Sequence, residues 1–200
     1  DGNETIEKLV TLQVKRQDVA AMINGAAITA AEVKFYQTRR QIEISIATEA
    51  VKKQYHGKEL NERLNYWERQ LNETTEPRSA VTRLIELHSM ALLAEEKGYS
   101  VDEPAVDREV EKRKRQYEGS KTAQTLIRQY GEAAFWKQER RYVRLALLTQ
   151  NVWNDMVKQA KNEYPNMAET EVRFFAQKKY DELLVSQIDS LHIQLYLSEL

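Results

Sequence analysis

The fold is decided by residues 19–32, which read VAAMINGAAITAAE. The apolar run Val19–Ile23 is typical of a short strand. Asn24-Gly25 tolerates two successive positive φ angles, which predicts a tight turn after that strand; an isolated turn is the alternative. Thr29 precedes Glu32 by three residues, the spacing of a capping box. We therefore expect a helix to begin here, with the Thr29 hydroxyl accepting from the Glu32 amide and the Glu32 carboxylate reaching back to the Thr29 amide.

Downstream of this cap, helical periodicity dominates the chain. Only six of the 200 residues are Gly and three are Pro, too few for the turns of a strand-rich protein. Apolar residues recur at three-and-four spacing, and Gly98 stands where a left-handed residue would end a helix. The predicted helices run from Thr29 to about Lys53, Glu59 to Asn72, Pro77 to Gly98, Asp102 to Gly119, Lys121 to Tyr130, Glu132 to about Lys161, and Ala168 to Asp189.

The last residues change period, because Leu191, Ile193, Leu195 and Leu197 alternate with more polar neighbours, as in a strand. A lone strand leaves its backbone groups unpaired, so this strand is expected to pair with Val19–Ile23. The sequence thus predicts a mainly α, multi-helix domain with a small antiparallel β element formed by its N-terminal and C-terminal strands.

The predicted domain covers residues 19–200, and its closing segment, 168–200, packs back on the N-terminal part. Residues 1–18 are expected to form a stalk or a short helix. Two strands that come from opposite ends of a chain can also be exchanged between copies, so a homodimer formed by strand exchange is a further expectation.

Composition excludes several classes of function. The chain has no cysteine, which excludes disulfides, thiol catalysis and Cys-ligated metal sites. A formal net charge of -1 gives no general attraction to nucleic acid or to anionic lipid, which only local patches could provide. The sequence contains no Gly-rich nucleotide loop, P-loop or nucleophile elbow, so neither a cofactor nor a catalytic residue is predicted.

Histidine and basic residues give no stronger signal. His56, His88 and His192 lack metal-ligand spacing and are expected to be solvated or in the core, with a contact between His88 and a core carboxylate as the specific alternative. The run Lys112–Arg115 is expected to be a solvated helix face; binding to acidic client segments or to an anionic cell surface is the alternative.

Several segments resemble the extracytoplasmic foldases of the SurA/PrsA type, in particular their N-terminal chaperone domain. The strand, Asn-Gly turn and capped helix of residues 19–32 are similar to the start of that domain. Residues 94–102, AEEKGYSVD, are similar to its next signature. Phe135 and Arg140-Arg141 to Leu148 resemble its aromatic and basic helix, and Tyr180–Leu184 resembles its closing element. The resemblance extends from Val19 to Leu197.

The resemblance implies an ATP-independent extracytoplasmic chaperone that holds unfolded or secreted polypeptides in an apolar groove. Many members carry an inserted prolyl isomerase domain of the parvulin type, but the corresponding interval here, Lys161–Glu171, is far too short for one. No isomerase activity is therefore expected, and a membrane anchor, if there is one, is expected outside these residues. The alternative is a helical scaffold or assembly module that binds one folded partner or itself.

Aromatic side chains with polar neighbours are the candidates for the peptide-binding groove. These candidates are Tyr36, Tyr66, Trp67 and Trp136, for which core packing is the alternative. We expect three other aromatic residues to be buried in the core: Phe135, Tyr142 and Trp153.

Overall fold

The computed structural model describes residues 19–196, so the predicted stalk over residues 1–18 and the strand position Leu197 lie outside the described residues. Within them, one antiparallel sheet contains β1 (Val19–Ile23), β2 (Ala26–Thr29) and β3 (Ile193–Leu195) in the order β2-β1-β3. The predicted pairing of the N-terminal and C-terminal strands is confirmed. The backbone N–H of Tyr196 donates to the Ala20 carbonyl at 2.9 Å, so the two ends of the described chain lie side by side.

The Asn-Gly turn joins two strands instead of standing alone. Asn24 and Gly25 have φ values of 48° and 83°, and Ala26–Thr29 continues as β2. The expectation of a strand followed by a turn only was therefore wrong: Ala26 and Ala27 have weak strand propensity, but pairing with β1 overrides it. Asn24 also contacts β3, because its N–H donates to the His192 carbonyl at 2.8 Å and its Oδ1 accepts from the His192 N–H at 2.8 Å.

The prediction of a mainly helical chain is confirmed, with about four fifths of residues 19–196 in helices. The described residues form α1 (Ala30–Gln54), α2 (Gly57–Thr75), α3 (Pro77–Glu96), α4 (Glu103–Glu118), α5 (Lys121–Tyr130), α6 (Glu132–Glu163) and α7 (Glu169–Ser190). Gly98 follows α3 with a φ of 89°, and the Tyr99 N–H donates back to the Ala94 carbonyl at 2.9 Å, which satisfies the end of the helix. No helix in residues 19–196 is long and apolar enough to cross a bilayer.

The start of α1 differs from a capping box in one respect. The Thr29 hydroxyl accepts from the Glu32 N–H at 3.1 Å, as expected of an N-cap. The Glu32 carboxylate does not reach back to the Thr29 amide; its Oε1 lies 2.6 Å from His88 Nε2 on α3, and its Oε2 has no hydrogen-bond partner. The Glu32 side chain is buried, and there it pairs with the His88 imidazole of α3 instead of the Thr29 amide.

The contact between Glu32 and His88 predicts a measurable loss on mutation. His88→Leu leaves a buried carboxylate without its partner, so we expect the free energy of unfolding to fall by about 1–3 kcal/mol in urea titrations followed by circular dichroism. Combining His88→Leu with Glu32→Leu should recover part of this loss because both polar groups are then removed. Equal stability of His88→Leu and the wild type would contradict the prediction.

The core is a chain of apolar clusters along the helices. One cluster joins the sheet to α3 and the start of α1, and contains Ile23, Ile28 and Leu84. A second joins α1, α4, α5 and α6 around Phe35 and Phe135. Two smaller clusters join α6 to α3 and to α4, and a fifth fills the space between α6 and α7. Helix α3 thus lies at the centre of the body, packed on the sheet, α1, α6 and α7.

Two of the three aromatic residues expected in the core are only half-buried. Phe135 is fully buried. Tyr142 is half-buried because it borders an open groove, and Trp153 is half-buried because it lies at the edge of the contact between α6 and α7, with its ring centroid 5.9 Å from that of Tyr180. For these two residues the expectation of burial is met only in part, since Tyr142 packs against the cluster around Phe135 and Trp153 against the cluster around Met156.

Candidate functional site

A groove crosses the helical body between α1, α2, α3, α6 and α7. It consists of two adjoining cavities, of about 280 Å³ and about 220 Å³, which share Tyr36, Arg83 and Tyr142 in their walls. We call the two together the central groove. The first cavity is mainly polar and contains Arg39, Arg40, Glu43, Gln70 and Glu73 in its lining; the second is more apolar and adds Leu87, Met90, Tyr180 and Leu184. The groove is therefore mainly apolar at one end and charged at the other.

Helical spacing brings these side chains to one surface. On α1 the lining residues are Tyr36, Arg39, Arg40 and Glu43, which recur at three-and-four intervals and so share a face. On α6 the lining residues Tyr142 and Thr149 stand seven apart, which is two helical turns, and α7 supplies residues 180 and 184, one turn apart. Each wall is thus a stripe of a regular helix, and no loop is needed to form the groove.

A buried ion pair supports the polar end of the groove. Arg39 Nε donates to Glu139 Oε2 at 2.9 Å, and Glu139 is 0% exposed while Arg39 is 7% exposed. Arg39 also pairs with Glu43 and lies over the Tyr142 ring, with its Cζ 4.0 Å from the ring centroid. Burial raises the pKa of Glu139, and the Arg39 guanidinium offsets only part of this shift. Burial opposes the charge on Arg39, yet Glu139, Tyr142 and Glu43 hold the Arg39 pKa above its usual value.

The rim of the groove carries charges of both signs. Arg40 pairs with Glu43 at 3.2 Å and donates to the Gln70 side chain of α2 at 3.2 Å. Arg83 pairs with Glu86 at 3.1 Å and lies 3.8 Å from Glu73 of α2. Because each guanidinium already has a carboxylate beside it, the groove has no surplus positive charge with which to select an anion.

Three tyrosines give the groove neutral hydrogen-bonding groups. Burial raises the pKa of Tyr36, Tyr142 and Tyr180, so their hydroxyls keep their protons at neutral pH. Within residues 19–196, the hydroxyls of Tyr36 and Tyr142 form no hydrogen bond to another residue. They are available to donate to or accept from the backbone of a bound chain.

The four aromatic residues predicted to bind peptide do not surround one cavity. Tyr36 lines the central groove. Tyr66 and Trp67 lie on α2 with their ring centroids 5.1 Å apart, and neither lines either cavity of the groove; Tyr66 is 47% exposed. Trp136 is half-buried against Phe135 and Tyr117, with centroid distances of 5.1 Å and 6.1 Å, on the side of α6 that packs against α4.

Sequence reasoning missed Tyr142 and Tyr180 as groove residues. Tyr142 sits in an apolar helical stripe of α6 and was therefore expected in the core, whereas Tyr180 was noted only within the closing helix. A helical stripe that faces two neighbouring helices with a gap between them has the same spacing as one that faces a closed core. The gap arises from how α2 and α7 pack on α3, which the periodicity of a single helix does not contain.

The other candidate chemistry gives no site in the described part of the chain. No group of three or more acidic or histidine residues there is arranged to hold a metal ion. The basic run on α4 is only partly solvated: Lys112 and Arg115 are exposed, but Lys114 lies 3.6 Å from Glu111 and 5.4 Å from the Trp136 ring centroid. Comparison of the chain with protein families, with curated proteins and with solved structures gave no match.

Proposed function

We propose that the chain is an ATP-independent holding chaperone that binds extended segments of unfolded polypeptide in the central groove. The observation that carries the proposal is the groove itself, which places Leu87 and Leu184 beside three tyrosines and a rim of paired charges. Apolar walls bury client side chains without selecting one shape, and free hydroxyls can bond to any client backbone.

Modest affinity follows from the size of the groove. Burying one client side chain contributes about 1.5–3 kcal/mol, whereas fixing a flexible client costs several kcal/mol in lost motion. Cavities of about 280 Å³ and 220 Å³ accept only a few side chains. We therefore expect dissociation constants of roughly micromolar size, with little sequence specificity and release by simple dissociation.

The resemblance noted in the sequence supports two further parts of the proposal. We infer an extracytoplasmic location from it, and the interval Lys161–Glu171, which has no room for an inserted catalytic domain, supports the absence of prolyl isomerase activity. Cell fractionation tests the location, and a proline-peptide assay that shows no acceleration above background would agree with the missing domain.

The test of the holding activity is suppression of aggregation. When a chemically denatured reporter enzyme is diluted into buffer, several-fold molar excess of this chain should lower its light scattering, because the groove covers apolar segments before they associate. Unchanged scattering would overturn the proposal. The alternative function, a scaffold for one folded partner or for itself, predicts saturable stoichiometric binding to that partner and none to unfolded chains.

A homodimer formed by strand exchange stays a prediction. In the structure β3 pairs with β1 of the same chain, with Met22 opposite Gln194. The same contact made between two chains would bury no new surface, so its formation depends on concentration. Multi-angle light scattering across a dilution series measures it.

A further inference from the structure

The far end of the α6–α7 hairpin carries exposed aromatic rings. Phe174 is 69% exposed and Tyr164 is 36% exposed. Both contact Phe175, with ring centroids 5.8 Å and 4.8 Å away respectively, so the three rings form one continuous patch. Exposed apolar patches of this kind mark interaction surfaces more often than isolated exposed residues do. We call this patch, with the turn between the two helices, the hairpin tip.

The hairpin tip projects from the body. Asp155 of α6 joins the end of α3 by accepting hydrogen bonds from Tyr99 at 2.6 Å and Lys97 at 3.3 Å. Beyond it, the apolar cluster around Met156 and Val172 is built only from α6, α7 and the turn that joins them. From Asp155 to the end of α6 the helix continues for about 12 Å, given a rise of about 1.5 Å per residue. The aromatic patch thus lies at the end of a protrusion made of two helices and their turn.

The charge around the tip is positive. Between residues 158 and 179 the basic residues outnumber the acidic ones by five to three, although the whole chain has a net charge of -1. Within residues 19–196, Lys158, Lys161 and Lys178 take part in no ion pair. Lys161 lies one turn before Tyr164, and Lys178 lies one turn after Phe174, so free cations flank the rings on both helices.

This combination suits a lipid bilayer better than a folded protein. Rings that stand this far exposed need a complementary pocket to be buried in another protein, whereas a membrane interface accepts rings of any arrangement. Aromatic rings settle at the level of the lipid headgroups, and the aliphatic stems of lysines let their ammonium groups reach anionic phosphates. Exposed lysines near such a surface each strengthen binding, and this contribution is screened by salt.

We propose that the hairpin tip is a peripheral binding surface for bilayers that contain anionic phospholipid. Phe174 and Tyr164 insert at the headgroup level, and Lys161 and Lys178 contact lipid phosphates. The central groove uses Tyr142 and Thr149 of α6 and Leu184 of α7, which lie away from the tip along the same two helices, so a client can occupy the groove while the tip rests on the membrane.

The test is co-sedimentation of the whole chain with two kinds of vesicle, one of phosphatidylcholine alone and one in which a third of the lipid is phosphatidylglycerol. We expect binding to the anionic vesicles at low salt, weaker binding at high salt, and little binding to phosphatidylcholine. The double variant Tyr164→Ser/Phe174→Ser should partition about tenfold less, and Lys161→Gln/Lys178→Gln should weaken binding at low salt and reduce the salt dependence, with Lys158 supplying what remains.

Matched controls come from the other helical hairpin, formed by α1 and α2. Tyr66→Ser removes a ring of comparable exposure on α2, and Lys52→Gln/Lys53→Gln removes two basic residues from the last turn of α1. Neither should change vesicle binding, and circular dichroism verifies that all variants are folded. The proposal is overturned if the wild type does not bind anionic vesicles, or if the controls lose as much vesicle binding as the tip variants. It is also overturned if the tip variants weaken polypeptide binding but leave vesicle binding unchanged.

Discussion

Glu139→Leu should lower the free energy of unfolding by about 3–5 kcal/mol, the largest stability effect that we expect of a single substitution in this chain. The reason is that Arg39 is 7% exposed and loses the carboxylate to which its Nε donates. Glu43 remains as a second partner, but it is more exposed and screens only part of the buried charge. Urea titration followed by circular dichroism and by tryptophan fluorescence measures the change.

Two control variants separate loss of the ion pair from loss of packing. Arg39→Met combined with Glu139→Leu should be more stable than Glu139→Leu alone, because a buried pair replaced by apolar side chains leaves no unpaired charge. Glu59→Gln removes a carboxylate from an exposed pair with Arg63 on α2 and should change stability by less than about 1 kcal/mol. If Glu139→Leu costs no more than Glu59→Gln, the buried pair does not stabilise the fold.

Tyr36→Ser combined with Leu184→Ser should weaken the binding of an unfolded client by about 100-fold. Each residue offers one apolar contact to the groove, and losing a contact of about 1.4 kcal/mol corresponds to a tenfold change in affinity. Both side chains are only half-buried, so the double variant should still fold. Fluorescence anisotropy of a labelled, permanently unfolded polypeptide measures the dissociation constant.

Tyr66→Ser is the matched control for the groove variant. Tyr66 is an aromatic residue with a polar surround, as Tyr36 is, but it lies outside both cavities of the groove. It should leave client affinity within about twofold. If Tyr66→Ser weakens client binding more than the groove variant does, clients bind on α2 and the assignment of the groove is overturned. This result would not affect the lipid-binding proposal for the hairpin tip, which the vesicle experiment tests separately.

The helices could be predicted from the sequence because their ends carry local signals. Thr29 and Asp102 accept hydrogen bonds from the amides three residues on, and Gly98 has the positive φ that its position indicates. These signals act within one turn and need no knowledge of distant residues. The strand β2 was missed because Ala26 and Ala27 have little strand propensity of their own and are held by pairing with β1.

The groove could be predicted only in kind. An apolar groove lined by aromatic residues with polar neighbours was expected; the central groove has one mainly polar cavity and one more apolar cavity, and Tyr36 lines both. Tyr66, Trp67 and Trp136 lie outside both cavities, and for Trp136 the reason is that a polar neighbour in sequence does not keep a side chain exposed. Trp136 is next to Lys137 in the chain, but Lys114 and Tyr117 of α4 cover its ring. Conversely, Tyr142 has the spacing of a core residue and reaches an opening that α2 and α3 leave uncovered.

The pairing of β1 with β3 decides how this body responds to mechanical load. Ala20 and Tyr196 lie at the same end of an antiparallel ladder, so tension applied between residues 19 and 196 acts across the strands and not along them. The bond from Tyr196 to Ala20 opens first, then the Met22–Gln194 pair, and then the contacts of Asn24 with His192. Because the hydrogen bonds between β1 and β3 break one after another under this load, each needs little force. We therefore expect β3 to detach from β1 at low force while the helices stay folded.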